Sequence, residues 1–338
     1  MVAPPRPSDV NRSASLDGCD KPTTAPTATT TTTASPPFND PKADLIIRSS
    51  DNTHFYVHKA LLSIISPVFE GMFEGMLKQP DNNPQELYDD RPCLPVTDDS
   101  RHLLCLLSWC DPRCNKPLPS LDNLIMTLST AHKYGMNLIF ARAQKELLVH
   151  DFIESKPFEV FAIAIRFRLT GLARRAARAT LGVSLAGCDD SPQFKHITAL
   201  ALQNLHNYHH ECKMAVKTFL ASKLWDEEMK EVAQHLMSDV KGHNHGAEYF
   251  SLKKVSLLED RVSWIPNKCT ARWWSDYVEV MMYNLNERPS GFSTPQLQGL
   301  ISLDDCNLCK RQGYKKLNEV TGYVSHRIDE VVAKVRKR

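Results

Sequence analysis

The fold is decided by residues 54–73, which read HFYVHKALLSIISPVFEGMF. From residue 59 onward, apolar side chains recur at spacings of three and four, the period of a helix with one buried face. These positions are Leu61, Leu62, Ile65, Val68, Phe69, Met72 and Phe73. Ser66 and Pro67 interrupt the run, and they suit an N-cap followed by proline at the first helical position. The pattern predicts two short helices, over 59–65 and 67–76.

Two β-prone segments lie before these helices. Residues 43–48 (ADLIIR) and 54–57 (HFYV) are rich in β-branched and aromatic side chains, and the turn-forming cluster SSDN separates them. This arrangement predicts a β-hairpin. Residues 93–96 (CLPV) predict a short third strand, which Pro95 would confine to a sheet edge. The polar stretch 79–92, which lies between the second predicted helix and this strand, predicts a loop.

The rest of the chain has mainly helical spacing. Asp99 or Ser100 is predicted to cap the first of these helices, and strand signals are scarce after Cys188. Helices are predicted over 100–109, 121–131, 141–149, 158–181, 195–207, 211–221, 223–238, 271–287 and 315–335.

Residues 1–41 differ in composition from everything after them. They contain eight of the 21 prolines, and residues 23–33 are mostly threonine. Such a segment has little apolar surface to offset the entropy lost on ordering. We therefore expect a disordered Pro/Thr-rich tail over 1–41.

The overall composition excludes several classes of protein. The 338 residues carry a formal charge of +2, with 42% hydrophobic and 24% charged residues. So small a charge argues against bulk electrostatic binding to nucleic acid. No apolar window approaches the roughly 20 residues that span a bilayer, and the opening MVAPPRPSDV lacks the pattern of a secretory signal. We expect an intracellular protein of the cytoplasm or nucleus that does not bind membranes.

The order of these features resembles the BTB/POZ domain family. The signature is an Asp at a strand start (Asp44), the segment Phe55–Lys59, the pair Ser66-Pro67 with Phe69, and Met72-Phe73. Residues 104–112 (LCLLSWCDP) and 131–136 (AHKYGM) are similar to a variant common in fungal, especially basidiomycete, members. The resemblance implies an α+β, mostly α fold: a small β-sheet flanked by helices over 42–150, a helical extension over 151–187, and a helical C-terminal region over 188–338.

The resemblance also implies a function. BTB/POZ domains act in protein–protein interaction, through self-association in transcriptional regulators or as adaptors of cullin-type ubiquitin ligases. The expected partners are thus a second copy of the chain and a cullin. In the family, the positions of Asp44, His58 and Lys59 lie in a charged pocket near the dimer interface, so these three are the candidate interaction residues. The residues around His58 themselves favour a structural, hydrogen-bonded histidine over a ligand, because nothing nearby in the sequence completes a catalytic or metal set.

The sequence lacks the common motifs of catalysis. It has no Gly-rich phosphate loop, no Gly-x-Ser-x-Gly elbow and no His-Glu-x-x-His pair. We therefore expect a non-enzymatic protein without a cofactor. The alternative is a zinc-dependent protein that uses Cys306-x-x-Cys309, half of a tetrahedral site; ordinary reduced thiols explain the same pair.

Two basic stretches also need an explanation, residues 166–178 and 334–338. Either could touch phosphate, and the terminal one could be a nuclear-import signal, but solvated helix faces explain them as well. The sequence has no zinc finger or helix-turn-helix, so sequence-specific nucleic-acid binding is not predicted.

Overall fold

The computed structural model describes residues 31–77, 87–114, 120–149, 151–185, 192–225, 227–228, 272–293 and 307–335. The chain forms two compact units. The first comprises residues 1–64 and 68–104, and the second comprises residues 65–67 and 105–338. None of the described helices is long and apolar enough to cross a lipid bilayer.

The first unit is built on a sheet whose described strands follow the order β1-β3-β2-β5-β4. The strands are β1 (Thr32–Thr33), β2 (Leu45–Arg48), β3 (Thr53–Val57), β4 (Leu87–Tyr88) and β5 (Arg91–Pro95). β2 and β3 form the predicted antiparallel hairpin, in the register Leu45 opposite Val57. Leu45, Ile46 and Ile47 are all fully buried. Because successive side chains of a strand point to opposite faces, β2 is covered on both faces and forms the centre of the unit.

The ordered part of the chain begins earlier than the sequence indicated. β1 pairs in parallel with β3, the N–H of Tyr56 donates to the carbonyl of Phe38 at 2.9 Å, and Phe38 is only 2% exposed. The expected disordered tail therefore does not hold for residues 31–41, while residues 1–30 lie outside the described residues. The edge of β3 that faces away from β2 has backbone groups that a further strand can pair with, and β1 fills this position. Threonine, which forms β1, has a high preference for strands.

One arginine fastens this N-terminal segment to the sheet. Arg91 on β5 donates from Nε to the carbonyl of Ala43 at 2.9 Å and from Nη2 to the carbonyl of Pro41 at 2.7 Å. Its guanidinium carbon also lies 5.5 Å from the ring centre of Tyr56. Hydrogen bonds from a charged donor are stronger than those between neutral groups. Arg91 thus fixes the chain that leads into β2.

The third predicted strand exists, but its predicted edge position is wrong. β5 lies between β2, with which it pairs in parallel at Cys93–Pro95, and β4, with which it pairs only at Arg91 and Pro92. Each of its two prolines is therefore paired on one flank only, so neither missing N–H breaks a ladder. β4 also places a strand inside the segment predicted as a loop over 79–92, of which residues 79–86 lie outside the described part.

The two short helices predicted from the opening stretch are confirmed. They are α1 (Lys59–Ile65) and α2 (Pro67–Leu77), with proline at the first helical position of α2. Within α2, Phe69 and Phe73 are buried and their rings lie 6.0 Å apart. α3 (Ser100–Cys110) begins at the predicted cap, where Oδ1 of Asp99 accepts from the N–H of His102 at 2.9 Å.

The second unit continues with five helices around a first apolar core. They are α4 (Leu121–Lys133), α5 (Asn137–Val149), α6 (Phe152–Ser155), α7 (Pro157–Arg166) and α8 (Thr170–Thr180). Neighbouring helices α4 and α5 pack together, as do α7 and α8. The largest side chains of the core are Phe158 and Phe161. α8 is rich in alanine, and its Leu172 and Ala176 are buried in this core.

Three further helices surround a second core. α9 (Ala199–Leu220) contacts both α10 (Arg272–Glu287) and α11 (Asn307–Lys334). Trp225 is fully buried in this core. The helix predicted over 315–335 is confirmed as part of α11, and Val320, Val324 and Ile328, spaced by four residues, are its buried apolar face. The helix predicted over 223–238 lies mostly outside the described residues.

The two helices predicted over 195–207 and 211–221 are one helix, α9, preceded by a short 3-10 turn at Pro192–His196. The two predicted ranges left residues 208–210, which include His209, outside both helices. His209, however, is buried together with Leu205, Cys212 and Val216. Its side chain therefore continues the apolar face instead of ending it, and the helix runs on.

Candidate interaction surface

Asp44 and Lys59, two of the three predicted interaction residues, are joined by a capping contact. Oδ1 of Asp44 accepts from the backbone N–H of Lys59, the first residue of α1, at 2.8 Å. The first N–H groups of a helix have no partner inside it, and a carboxylate there also matches the helix dipole. Asp44 therefore caps α1 from the start of β2, and its described partner is the main chain of Lys59, not the ammonium group.

His58, the third predicted residue, is directed toward a different carboxylate. Its Nε2 lies 3.9 Å from Oδ2 of Asp40, and 40% of its side chain is exposed. That distance is too long for a hydrogen bond. An exposed ion pair of this kind contributes at most about 1 kcal/mol, and only when the histidine is protonated. The three residues are thus brought to one end of α1, with Asp40 as a fourth member that the sequence did not indicate.

The serine of the signature has a structural role. Ser66 is fully buried, and its hydroxyl donates to the carbonyl of Tyr134 at 2.6 Å. Tyr134 is the C-cap residue of α4, where backbone carbonyls have no helical partner. The Ser66 hydroxyl therefore satisfies a buried acceptor in the same compact unit.

Exposed apolar side chains form the strongest sign of an interaction surface in the first unit. Ile64 on α1 is 83% exposed, and Ala60, one turn before it, is exposed as well. Met72 was predicted as a core residue, but it is 37% exposed. The other large exposed apolar residues of this unit are Leu87, Tyr88 and Leu104. The sequence contains a signal for this surface. α1 (KALLSII) has more apolar residues than one buried face requires, so some of them must be exposed.

The thiols of the described residues are not arranged for metal binding. The described cysteines are reduced thiols, namely Cys93, Cys105, Cys110, Cys114 and Cys212. No group of three or more metal-ligating side chains occurs in the described part. Burial raises the pKa of Cys110 to about 12 and that of Cys212 to about 11. Both thiols are then protonated at neutral pH, and the thiol is a much poorer ligand than the thiolate.

The predicted zinc half-site is not tested by the structure. Cys306 lies outside the described residues. Cys309 belongs to the backbone of α11, but its side chain is not described. The zinc alternative therefore stays a prediction.

Of the comparisons with known proteins, the one with family models found a match. The comparison with curated proteins returned no match. The family model of the BTB/POZ domain matches residues 38–151, and BTB/POZ domains are protein–protein interaction modules that are typically not enzymes. The match begins at Phe38, the buried residue inside the predicted tail. Residues 38–151, with their small sheet and surrounding helices, are a BTB/POZ domain.

Proposed function

We propose that this protein is a non-enzymatic interaction protein that self-associates through the exposed face of α1. The observation that carries the proposal is Ile64, which is 83% exposed on a helix of the BTB/POZ domain. Burying such a side chain contributes about 1.5–3 kcal/mol. A twofold interface would bury the same residue twice, once from each copy.

The surface needs more than Ile64. A stable dimer buries roughly 800 Å² on each partner, which exceeds the area of one side chain. Met72, Leu87, Tyr88 and Leu104 of the same unit are exposed and supply further apolar area. Asp44, His58 and Lys59 would then form the polar part of the interaction site, where charges select a partner more than they strengthen binding.

We further propose an adaptor or scaffold role for the dimer, in transcriptional regulation or on a cullin-type ubiquitin ligase. The support is the helical region beyond the domain, which has its own core around Trp225 on described helices. In an adaptor, this region at 188–338 would recruit the second partner. Binding of the full chain to a purified cullin N-terminal domain tests the role as a ubiquitin-ligase adaptor. If the chain does not bind the cullin, transcriptional regulation is the role that remains proposed.

Self-association is tested by light scattering with Ile64→Glu in the full chain. In a twofold interface a glutamate at this position removes the apolar burial of both copies, about 3–6 kcal/mol, so the dissociation constant should rise about 100-fold or more. Leu200→Glu on α9 is the matched control, because Leu200 is 64% exposed and lies in the other unit. A wild-type chain that is monomeric at high concentration, or equal effects of both variants, would refute the proposal.

A further inference from the structure

Arginines are concentrated in the segment that follows the BTB/POZ domain. Between Glu159 and Asp189 the chain has five arginines and no acidic residue or lysine. The formal charge of the whole chain is +2, so the remaining residues carry a formal charge of −3. Residues 160–188, which include most of α7 and all of α8, therefore carry a local formal charge of +5 with no acidic residue to offset it.

Four of these arginines have no acidic partner among the described residues. Arg178 lies 3.5 Å from Oδ1 of Asp329 on α11. No described carboxylate forms an ion pair with the other four, and all four are exposed. They are Arg166, Arg168, Arg174 and Arg175, here called the arginine face. On α8, Arg174 lies opposite to buried Leu172 and Ala176, and Arg175 lies at the edge of the exposed side.

The position of Arg168 is unfavourable for a residue with a side chain. Its φ is +56°, in the left-handed region. The N–H of Arg168 donates to the carbonyl of Ile165 and the N–H of Leu169 to that of Ala164, which is the Schellman pattern at the end of α7. Glycine is the usual residue at this position, because it has no Cβ to strain. Backbone stability therefore gives no reason for an arginine here.

An aromatic group lies beside the arginine face. The guanidinium carbon of Arg166 lies 5.0 Å from the ring centre of Phe167, and Phe167 meets Phe140 on α5 edge to face at 5.5 Å. His132 at the end of α4 completes the group, 5.8 Å from Phe167. Phe140 and Phe167 are only partly buried. Cations and partly exposed rings next to each other suit a partner that has both carboxylates and apolar side chains.

We propose that the arginine face binds an acidic peptide segment of a partner protein. A carboxylate matches the fork of an arginine in two parallel hydrogen bonds, which a lysine cannot reproduce. The observations favour a peptide over a nucleic acid, because the formal charge of the whole chain is only +2, too small for bulk electrostatic binding to a long polyanion. This site is separate from α1 and does not depend on self-association.

The test is a titration of the full chain against a fluorescein-labelled peptide of alternating glutamate and phenylalanine, read by fluorescence anisotropy. Arg174→Glu with Arg175→Glu should weaken binding roughly tenfold, and the wild-type affinity should fall as ionic strength rises. Lys42→Glu with Arg101→Glu is the control, because both residues are exposed in the first unit and the net charge changes equally. Equal weakening by both double variants would overturn the site.

A second variant guards against a folding artefact. Arg168→Gly removes one charge from the arginine face but relieves the left-handed strain, so its melting temperature should be at least that of the wild type. Its affinity for the peptide should nevertheless fall about threefold. Unchanged peptide affinity in this variant, or tighter binding of single-stranded DNA of the same length, would overturn the proposal. Light scattering on the same samples reports self-association separately.

Discussion

Oγ1 of Thr180 lies 2.8 Å from Nε2 of His209, and both side chains are buried in the second unit. The same hydroxyl lies 2.6 Å from the carbonyl of Ala177, which can only accept. The one hydroxyl proton is therefore donated to Ala177, and the oxygen of Thr180 accepts from the Nε2–H of His209. This arrangement places a proton on Nε2 of His209, and burial favours the neutral form of the ring.

The neutral state of His209 predicts a loss of stability in acid. Burial, assisted by the nearby His206, lowers the pKa of His209 from 6.5 to about 4. Between these values the unfolded chain binds a proton that the folded chain does not. The free energy of unfolding should therefore fall as the pH drops from 6.5 to 4, by on the order of 3 kcal/mol. Urea unfolding at pH 7 and pH 4.5 measures this fall.

Two substitutions isolate the contribution of His209. His209→Gln keeps a donor for Thr180 but cannot titrate, so the difference between the two pH values should shrink markedly. His210→Gln is the control, because His210 is the exposed neighbour on the same helix. If His209→Gln preserves the full acid sensitivity, another group is responsible.

Any side chain at position 291 is predicted to destabilise the protein, because Gly291 lies directly against α11. A Cβ at this position would lie 2.6 Å from the carbonyl oxygen of Ser325 and 3.0 Å from Oδ2 of Asp329. The hydroxyl of Ser325 also donates to the carbonyl of Gly291 at 2.9 Å. Because a backbone atom of a long helix cannot move aside cheaply, Gly291→Ala should destabilise the protein by about 1–3 kcal/mol in urea unfolding.

The same helix supplies the control for Gly291. A Cβ at Gly322, within α11, would meet nothing within 4 Å. Gly322→Ala should therefore stabilise the protein by about 0.5–1 kcal/mol, the normal gain in a helix interior. Effects of the same sign for the two variants would contradict the close approach at Gly291.

Phe38 tests whether the structured N-terminal segment belongs to the folded domain. Its ring is 2% exposed and lies 5.9 Å from that of Phe55. Phe38→Ala should lower the free energy of unfolding by about 3 kcal/mol or more. Lys42→Ala, at an exposed position of the same segment, should stay within about 0.5 kcal/mol of the wild type. Equal effects would mean that residues 31–41 add nothing to the domain.

The sequence was sufficient for elements whose pattern is local. The hairpin, α1, α2 and the apolar face of α11 follow from periodicity and from proline at the first turn of a helix. The parallel pairings of β1 with β3 and of β2 with β5 join segments far apart in the chain. No local pattern encodes such partners, so the early start of the domain and the inner position of β5 were missed.

The candidate site was predictable only in part. The family resemblance gave Asp44, His58 and Lys59, but not the geometry that makes the carboxylate of Asp44 a helix cap. The pairing of His58 with Asp40 required the fold of residues 31–41. The exposure of Ile64 likewise depends on which side of α1 the domain covers, and the composition of the helix alone does not determine that side.

Asp44 can therefore be assigned to capping or to charge recognition by comparing two variants. Asp44→Ala removes the acceptor for the N–H of Lys59 and should cost about 1 kcal/mol of stability. Asp44→Asn keeps a side-chain oxygen and loses only the charge, so it should cost less than half as much in urea unfolding. If capping is its whole role, light scattering should show the same dissociation constant for Asp44→Asn and wild type. Weaker self-association of this well-folded variant would instead assign the carboxylate charge to the interface.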